Sequence, residues 1–199
     1  MAEPSTRTMA LGLVGSPIHG GSVDLLVDQV LAGAASQGAR VEKVFLNDLS
    51  IRPCQSCGID NRTGICRIDD DMRDVYRLLT EADLLILGTP VYFDTVSAQM
   101  KLMIDRSNCM TPLVSQPGGP PVFARRPASG KRAILVAVAG SGQQFRTLRV
   151  TVKGFLAWIS AELVDEVLYA HDSIVVGSVR DDPAIMSAAF QAGARAAGA

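Results

Sequence analysis

Three of the four cysteines in this 199-residue chain, Cys54, Cys57 and Cys66, fall within the turn-rich stretch PCQSCGIDNRTGICRIDDDM at residues 53–72. Thiols at such spacing suit a disulfide framework, a zinc site, an iron–sulfur cluster, a redox dithiol, or simple packing of a long loop. The opening residues MAEPSTRTMALGLVGS have no long apolar core behind a basic start, so a cytoplasmic protein is expected, and disulfide staples are rare there. Zinc would find three thiolates plus Asp60 or a nearby carboxylate, though the spacing lacks a second close pair. A Cys54–Cys57 dithiol would lie outside the strand-to-helix setting of thioredoxin-like motifs. Cys109 stands far along the chain, and nothing in the sequence brings it near the other three. The acidic run Asp69, Asp70 and Asp71 is expected to act as ordinary helix-start caps and dipole partners rather than as a cation site.

Two other stretches carry chemistry of a different kind. In GSPIHGGS, residues 15–22, small residues let the backbone approach an anion, Ser16 and Ser22 offer hydroxyls, and a helix follows directly. The stretch lacks both the Gly-Lys-Ser/Thr close of a P-loop and the Gly-x-Gly-x-x-Gly dinucleotide pattern, so it suits a single phosphomonoester. His19 either contacts that phosphate or is a solvated loop histidine. In GTPVYFDTVSAQMK, residues 88–101, Pro90, Val91, Tyr92 and Phe93 offer a rigid turn and two aromatic rings, suited to a flat ring system or to plugging the top of a core. A third small-residue turn, AGSGQQ at residues 139–144, can wrap a ribityl chain or ring edge. A phosphomonoester, a ribityl chain and a flat ring together describe FMN.

The elements that must position these stretches read clearly. TMALGLVG, VEKVFLND, ADLLILGTPVY, KRAILVAVAGSG and ELVDEVLYAH are strand-like runs, several apolar enough to be buried on both faces. Helical spacing follows each: Val23, Leu26, Val27, Val30 and Leu31 with Ser22 as cap and Gly38 as stop; Met72, Val75, Leu78 and Leu79; Met100, Met103 and Ile104; a helix within residues 143–161; and a closing helix with Pro183 early. Residues 109–131 are rich in Pro and Gly, lack periodicity, and read as a loop excursion serving as a lid or an interface arm. Alternating strands and helices predict an α/β fold whose ligand sits beyond the carboxyl ends of the strands.

Composition bounds the rest. At 48% hydrophobic, 20% charged and net charge −1, the chain is neither a disordered segment nor a nucleic-acid binder, and no segment reaches the length of a membrane span. One domain over residues 1–199 is expected, with no repeat or linker.

GSPIHGGS, GTPVYFDTVSAQMKLMIDR and CQSCGIDNRTGICRIDDDM together resemble the NADPH-dependent FMN reductase branch of the flavodoxin-like superfamily, which also contains iron–sulfur flavoproteins. The resemblance implies a flavodoxin-like five-stranded parallel sheet, order 2-1-3-4-5, with helices on both faces. Ile18, His19, Gly20 and Val23 depart from the family's phosphate-loop pattern, removing side-chain donors but leaving backbone ones. By resemblance, Ser16, Gly21, Ser22 and Val23 hold the phosphate, and Pro90, Val91, Tyr92 and Phe93 line the isoalloxazine. Asp94 and Thr95 fall where the chain turns back toward the flavin, and Gly140, Ser141 and Gly142 match the third flavin loop. In relatives with a cubane cluster the motif has a third cysteine where this chain has Asp60, so a four-thiolate cluster cannot form from the motif as it stands.

The resulting expectation is an FMN-dependent oxidoreductase taking hydride from NAD(P)H and passing electrons to a small-molecule acceptor, assembled as a homodimer or homotetramer. No side-chain acid or base is obligatory for such a transfer, and His171 reads as structural or solvated. An iron–sulfur flavoprotein-like or flavodoxin-like electron-transfer protein is the alternative, though the near-neutral charge argues against an acidic shuttle. A flavin-free binding protein on the same fold is another.

Overall fold

The computed structural model describes residues 7–56, 66–124 and 126–198. Its strands are β1 (Met9–Val14), β2 (Arg40–Phe45), β3 (Leu84–Pro90), β4 (Leu113–Gln116), β5 (Gly119–Phe123), β6 (Lys131–Ala139) and β7 (Ala161–Ala170). Five of them form one all-parallel sheet in the order β2-β1-β3-β6-β7. This is the expected flavodoxin-like order, with β6 and β7 as its fourth and fifth strands. The apolar runs explain the arrangement: β1 is buried throughout and β3 nearly so, as centre strands must be when both sheet faces are covered.

The helices are α1 (Ser22–Ser36), α2 (Met72–Glu81), α3 (Ala98–Arg106), α4 (Arg146–Trp158) and α5 (Pro183–Gly198). Leu26, Val27 and Val30 of α1 and Ala189 and Ala192 of α5 pack on one face of the sheet. Met72, Leu79, Met100, Met103, Leu148 and Leu156 carry α2, α3 and α4 onto the other. Right-handed crossovers put the loops after β1, β3 and β6 at one edge, beside the β1/β3 point where the chain reverses its direction across the sheet. No helix among the described residues is long and apolar enough to cross a membrane.

Two expectations need correction. Gly21, not Ser22, is the cap of α1, and Ser22 is its first helical residue; the other end is as expected, with Gly38 at φ 86°. The 109–131 excursion contains a hairpin, because β4 and β5 pair antiparallel around Pro117 and Gly118, the latter at φ 71°. Pro120 and Pro121 are tolerated because β5 is paired on only one side. Phe123 then rests edge-on against Trp158, with ring centroids 5.5 Å apart, folding the hairpin back onto the end of α4.

The α1–α5 crossing depends on two glycines that meet backbone. A Cβ at Gly33 would run into the Phe190 carbonyl oxygen, and one at Gly193 into that of Val30. Overpacking of this kind costs about 3 kcal/mol when neither side can yield, and the helical preference for alanine returns only about 1 kcal/mol. Gly33→Ala should therefore lose about 2 kcal/mol in urea unfolding. Gly154→Ala, at an exposed α4 position with nothing near the new methyl, should gain up to about 1 kcal/mol. Equal effects from the two would refute the close crossing.

Candidate functional site

Polar contacts hold the three loops at the sheet edge, buried between the first and second loops and exposed at the third. Gly15 N–H donates to the Gly88 carbonyl at 2.7 Å, and the Ser97 hydroxyl donates to the Gly15 carbonyl at 2.7 Å. Ser97 also caps α3 by accepting from Met100 N–H at 3.2 Å, while its own N–H donates to the Thr89 hydroxyl at 3.0 Å. Thr89 and Ser97 are fully buried, so these bonds form away from water and lock the first loop against the second. The third loop is held by two carboxylates: Asp94 accepts from Gln144 N–H at 2.7 Å, and Asp172 accepts from Ser141 N–H at 2.9 Å. The Ser141 hydroxyl, with its N–H, keeps the Asp172 carboxyl below the usual carboxylate range.

The first loop leaves the start of α1 open. Gly21 provides no side-chain cap, so the N–H groups of the first turn, at Ser22 and Val23, are without the usual hydroxyl or carboxylate partner. Ser16 is buried and its hydroxyl accepts from Ile18 N–H at 3.2 Å. Asp24 accepts from Gly20 N–H at 2.8 Å, and Lys43 lies 2.7 Å from Asp24 and 2.6 Å from Asp28. Burial opposes the charge on Lys43, but the two carboxylates outweigh it and hold the ammonium above its ordinary value. The negative charge nearest the helix start is thus compensated within the protein. His19 stacks on Phe45 with centroids 3.8 Å apart, and its Nε2 lies 3.1 Å from Asp48.

The second loop makes a sharp reversal. Tyr92 and Thr95 exchange N–H···O bonds of 3.1 Å in each direction around Phe93 and Asp94, whose φ angles are 51° and 58°. Two consecutive left-handed residues make a type I′ turn, and a bulky phenylalanine there is strained, as residues at ligand sites often are. Phe93 is 95% exposed, so core burial does not account for its strained position, and Tyr92 is about half exposed. Val91, by contrast, buries its side chain in the core and donates its N–H to the Val138 carbonyl at 2.7 Å. Pro90 is half-buried at the end of β3, and the Thr95 hydroxyl lies 3.5 Å from that of Thr151. Gly140 and Gly142 have open space where a side chain would begin.

Of the cysteine stretch, Cys57 and Asp60 lie outside the described residues. Cys54 and Cys66 do not stand alone: with Cys109 they line a cavity of about 390 Å3 beside α3, together with Arg106, Leu113 and Trp158. Nothing in the sequence pattern brings Cys109 there; its position just after α3 does so. Among the described residues, no three His, Cys, Asp or Glu side chains are placed to hold a metal ion. Burial pushes the Cys66 thiol up, but the Ile68 N–H, the Tyr76 hydroxyl and Arg106 together hold it below the ordinary thiol range, whereas burial leaves Cys109 above it.

Arg106 organises this region. Its side chain, only 1% exposed, meets Asp70 in a two-pronged pair of 2.6 and 2.9 Å and donates to the Arg52 carbonyl at 2.8 Å. Asp70 also accepts from Arg52 N–H at 2.9 Å and Met72 N–H at 3.2 Å, while Asp71 accepts from Ser50 N–H at 2.6 Å. The acidic run therefore does more than begin α2: it anchors the chain that leads into and out of the cysteine stretch. Sequence reasoning missed Thr89, Ser97, Asp172 and the Arg106–Asp70 pair. Only Ser97, a serine directly before a helical pattern, carried a readable signal.

Residues 8–174 match the profile of the NADPH-dependent FMN reductases. The chain belongs to this family. Among curated relatives, an iron–sulfur flavoprotein of Methanocaldococcus jannaschii is 41% identical over 97 residues, covering 49% of this chain and 50% of that protein. An iron–sulfur flavoprotein of Archaeoglobus fulgidus is 40% identical over 97 residues, covering 49% of this chain and 44% of the relative. The chain thus spans about half the length of these curated relatives. The solved structure of RosB with a bound flavin phosphate intermediate superposes with a TM-score of 0.70 at 15% identity, over 96% of this chain and 79% of RosB, a likeness of fold.

Proposed function

We propose that this chain is an FMN-dependent oxidoreductase that takes reducing equivalents from NADPH or NADH and passes them to a small-molecule acceptor such as a flavin or quinone. The observation that carries this reading is the uncapped start of α1 at the point where three mutually tied loops meet. An anion fits there because first-turn N–H groups and the helix dipole favour negative charge, and the carboxylate of Asp24 is already neutralised by Lys43. Ser16, Gly21, Ser22 and Val23 would hold the phosphate, with His19 fixed at the rim by Phe45 and Asp48. Pro90, Tyr92 and Phe93 would line the flavin ring, Val91 would contribute backbone only, and Asp94 and Thr95 would set the turn. Gly140, Ser141 and Gly142 would close the third side, their lack of bulk leaving room for the ligand.

FMN, when bound, would supply the hydride-accepting chemistry that no side chain here can supply. The protein's part is to fix the ring against a rigid turn, and the Asp94–Gln144 bond keeps the second and third loops in register while it does so. Two copies of the chain are proposed to assemble, supported by the exposed apolar run Ile174, Val175 and Val176, whose neighbour Gly177 approaches the phosphate loop at Gly20. The motif residues do not supply the four thiolates of a cubane cluster, since Asp60 stands at the third position, and no electron route is drawn through one.

The test is anaerobic purification of the full chain followed by absorption spectroscopy and an FMN titration. The expected result is FMN bound at about one per chain and its bleaching by NADPH or NADH, with colour restored by a quinone. A colourless chain that does not bind added FMN would overturn the reading.

A further inference from the structure

The cavity beside α3 gathers thiols that the chain keeps apart. Cys54 arrives from the loop after β2, Cys66 from the segment leading into α2, and Cys109 from the short helical turn after α3. Cys66 and Cys109 share one partner: the Tyr76 hydroxyl interacts with both sulfurs while donating to the Arg106 carbonyl at 2.7 Å. Cys109 Sγ leans on that same carbonyl at 3.5 Å. Both thiols therefore open on one cavity.

Arg106 adds an independent observation. Two of its nitrogens are committed to Asp70, yet its Nε is buried without a hydrogen-bond acceptor. A buried guanidinium N–H without an acceptor is costly, and an anion in the cavity, such as a thiolate or the carboxylate of a small thiol compound, would relieve that cost. Trp158, Leu113 and Pro121 give the cavity an apolar wall, Gln55, Arg67 and Asn108 are among its polar lining residues, and the volume of about 390 Å3 is that of a small-ligand site. Neither the phosphate loop nor the Tyr92–Thr95 turn contributes to it, so the proposed flavin site leaves this cavity without a task.

We propose that Cys66 and Cys109 form a thiol–disulfide exchange site that receives low-molecular-weight disulfides in this cavity. The Cys66 thiolate attacks one sulfur of the disulfide R–S–S–R, forming a Cys66–S–S–R bond and releasing R–S⁻, which takes up a proton. Cys109, after losing its proton, attacks the Cys66 sulfur, forming the Cys66–Cys109 disulfide and releasing the second R–S⁻, which is protonated in turn. The two cysteines lose two electrons and two protons together, and R–S–S–R gains them as two R–SH. A small thiol in excess reverses the sequence. Tyr76 positions both sulfurs, and Arg106 stabilises the attacking anion. The proposal stands whether or not FMN binds.

The test uses the full chain, reduced and desalted anaerobically, then exposed to mixtures of glutathione and glutathione disulfide. Samples are quenched in acid, alkylated and mapped by mass spectrometry. The wild type is expected to end with a Cys66–Cys109 disulfide and no retained glutathione, after passing through a glutathione adduct on Cys66. Cys109→Ser should trap that adduct, and Cys66→Ser should lose both adduct and disulfide while keeping Cys54. If the serine variant fails to fold, the transient adduct in the wild-type time course serves in its place. The proposal is overturned if Cys66 stays free while other thiols oxidise. It is equally overturned if the anaerobic protein carries iron and sulfide and its thiols react only after chelation, since they would then be ligands.

Discussion

Arg106→Ala is expected to cost about 3–5 kcal/mol of folding stability, enough to remove a large share of what a domain of this size possesses. The cost follows from what is left behind rather than from the contact alone. Asp70, 5% exposed, would remain buried and charged with only two backbone N–H groups to stabilise it, and the Arg52 carbonyl would lose its donor. The pH dependence has a definite sign. Burial alone would raise the Asp70 carboxyl, but Arg106 and the Arg52 and Met72 N–H groups hold it below its ordinary value. Its contribution is therefore fully present above about pH 4, where the carboxyl would ionise even unfolded, and is lost as pH falls through the depressed native value. Urea unfolding of wild type and Arg106→Ala at pH 7 and near pH 3 checks both statements. The gap between them should narrow in acid, and a gap within about 1 kcal/mol at pH 7 would reduce the pair to an ordinary surface contact.

That pair also marks where sequence reasoning stops. The sheet was legible because centre strands in a parallel sheet must be apolar on both faces, and α2 was legible because Met72, Val75, Leu78 and Leu79 all turn inward at helical spacing. Such signals are local. Arg106 and Asp70 are 36 residues apart, and each alone reads as a charge suited to a helix end. Cys109 reached its cavity by the same route, carried by the length and direction of α3. The hairpin at β4 and β5 was hidden by its own prolines, which demote a strand in sequence but are harmless where one edge is unpaired. The type I′ turn at Phe93 and Asp94 was hidden for the opposite reason. Asn-Gly would have announced it, whereas Phe-Asp occupies the left-handed region only because the surrounding bonds require it. The pattern is consistent with the site itself: the small-residue loops were visible, and the buried hydroxyls of Thr89 and Ser97 that hold them together were not.

Ser22→Asp should separate the folding role of the α1 start from its binding role. A carboxylate in the first turn of a helix is favourable to folding by about 0.3–1 kcal/mol, and Lys43 already balances Asp24 nearby, so the flavin-free protein should unfold at the same urea concentration as wild type or slightly above it. For a bound phosphate the same carboxylate is a like charge in close contact. At about 4 Å and an effective dielectric of about 20 the repulsion is about 4 kcal/mol. FMN affinity is therefore expected to fall by at least about 100-fold, even after side-chain rotation and solvent weaken the repulsion. Ser22→Ala removes only a hydroxyl and should cost about 1 kcal/mol of FMN binding, a factor of about five. Riboflavin supplies the control, because it has the same ring and no phosphate: its affinity should be nearly the same in wild type, Ser22→Ala and Ser22→Asp. Fluorescence titration of both ligands into all three proteins measures this directly. A Ser22→Asp protein that binds FMN as wild type does would move the phosphate away from α1. An equal loss for riboflavin would mean that the substitution distorts the loop rather than opposing a charge.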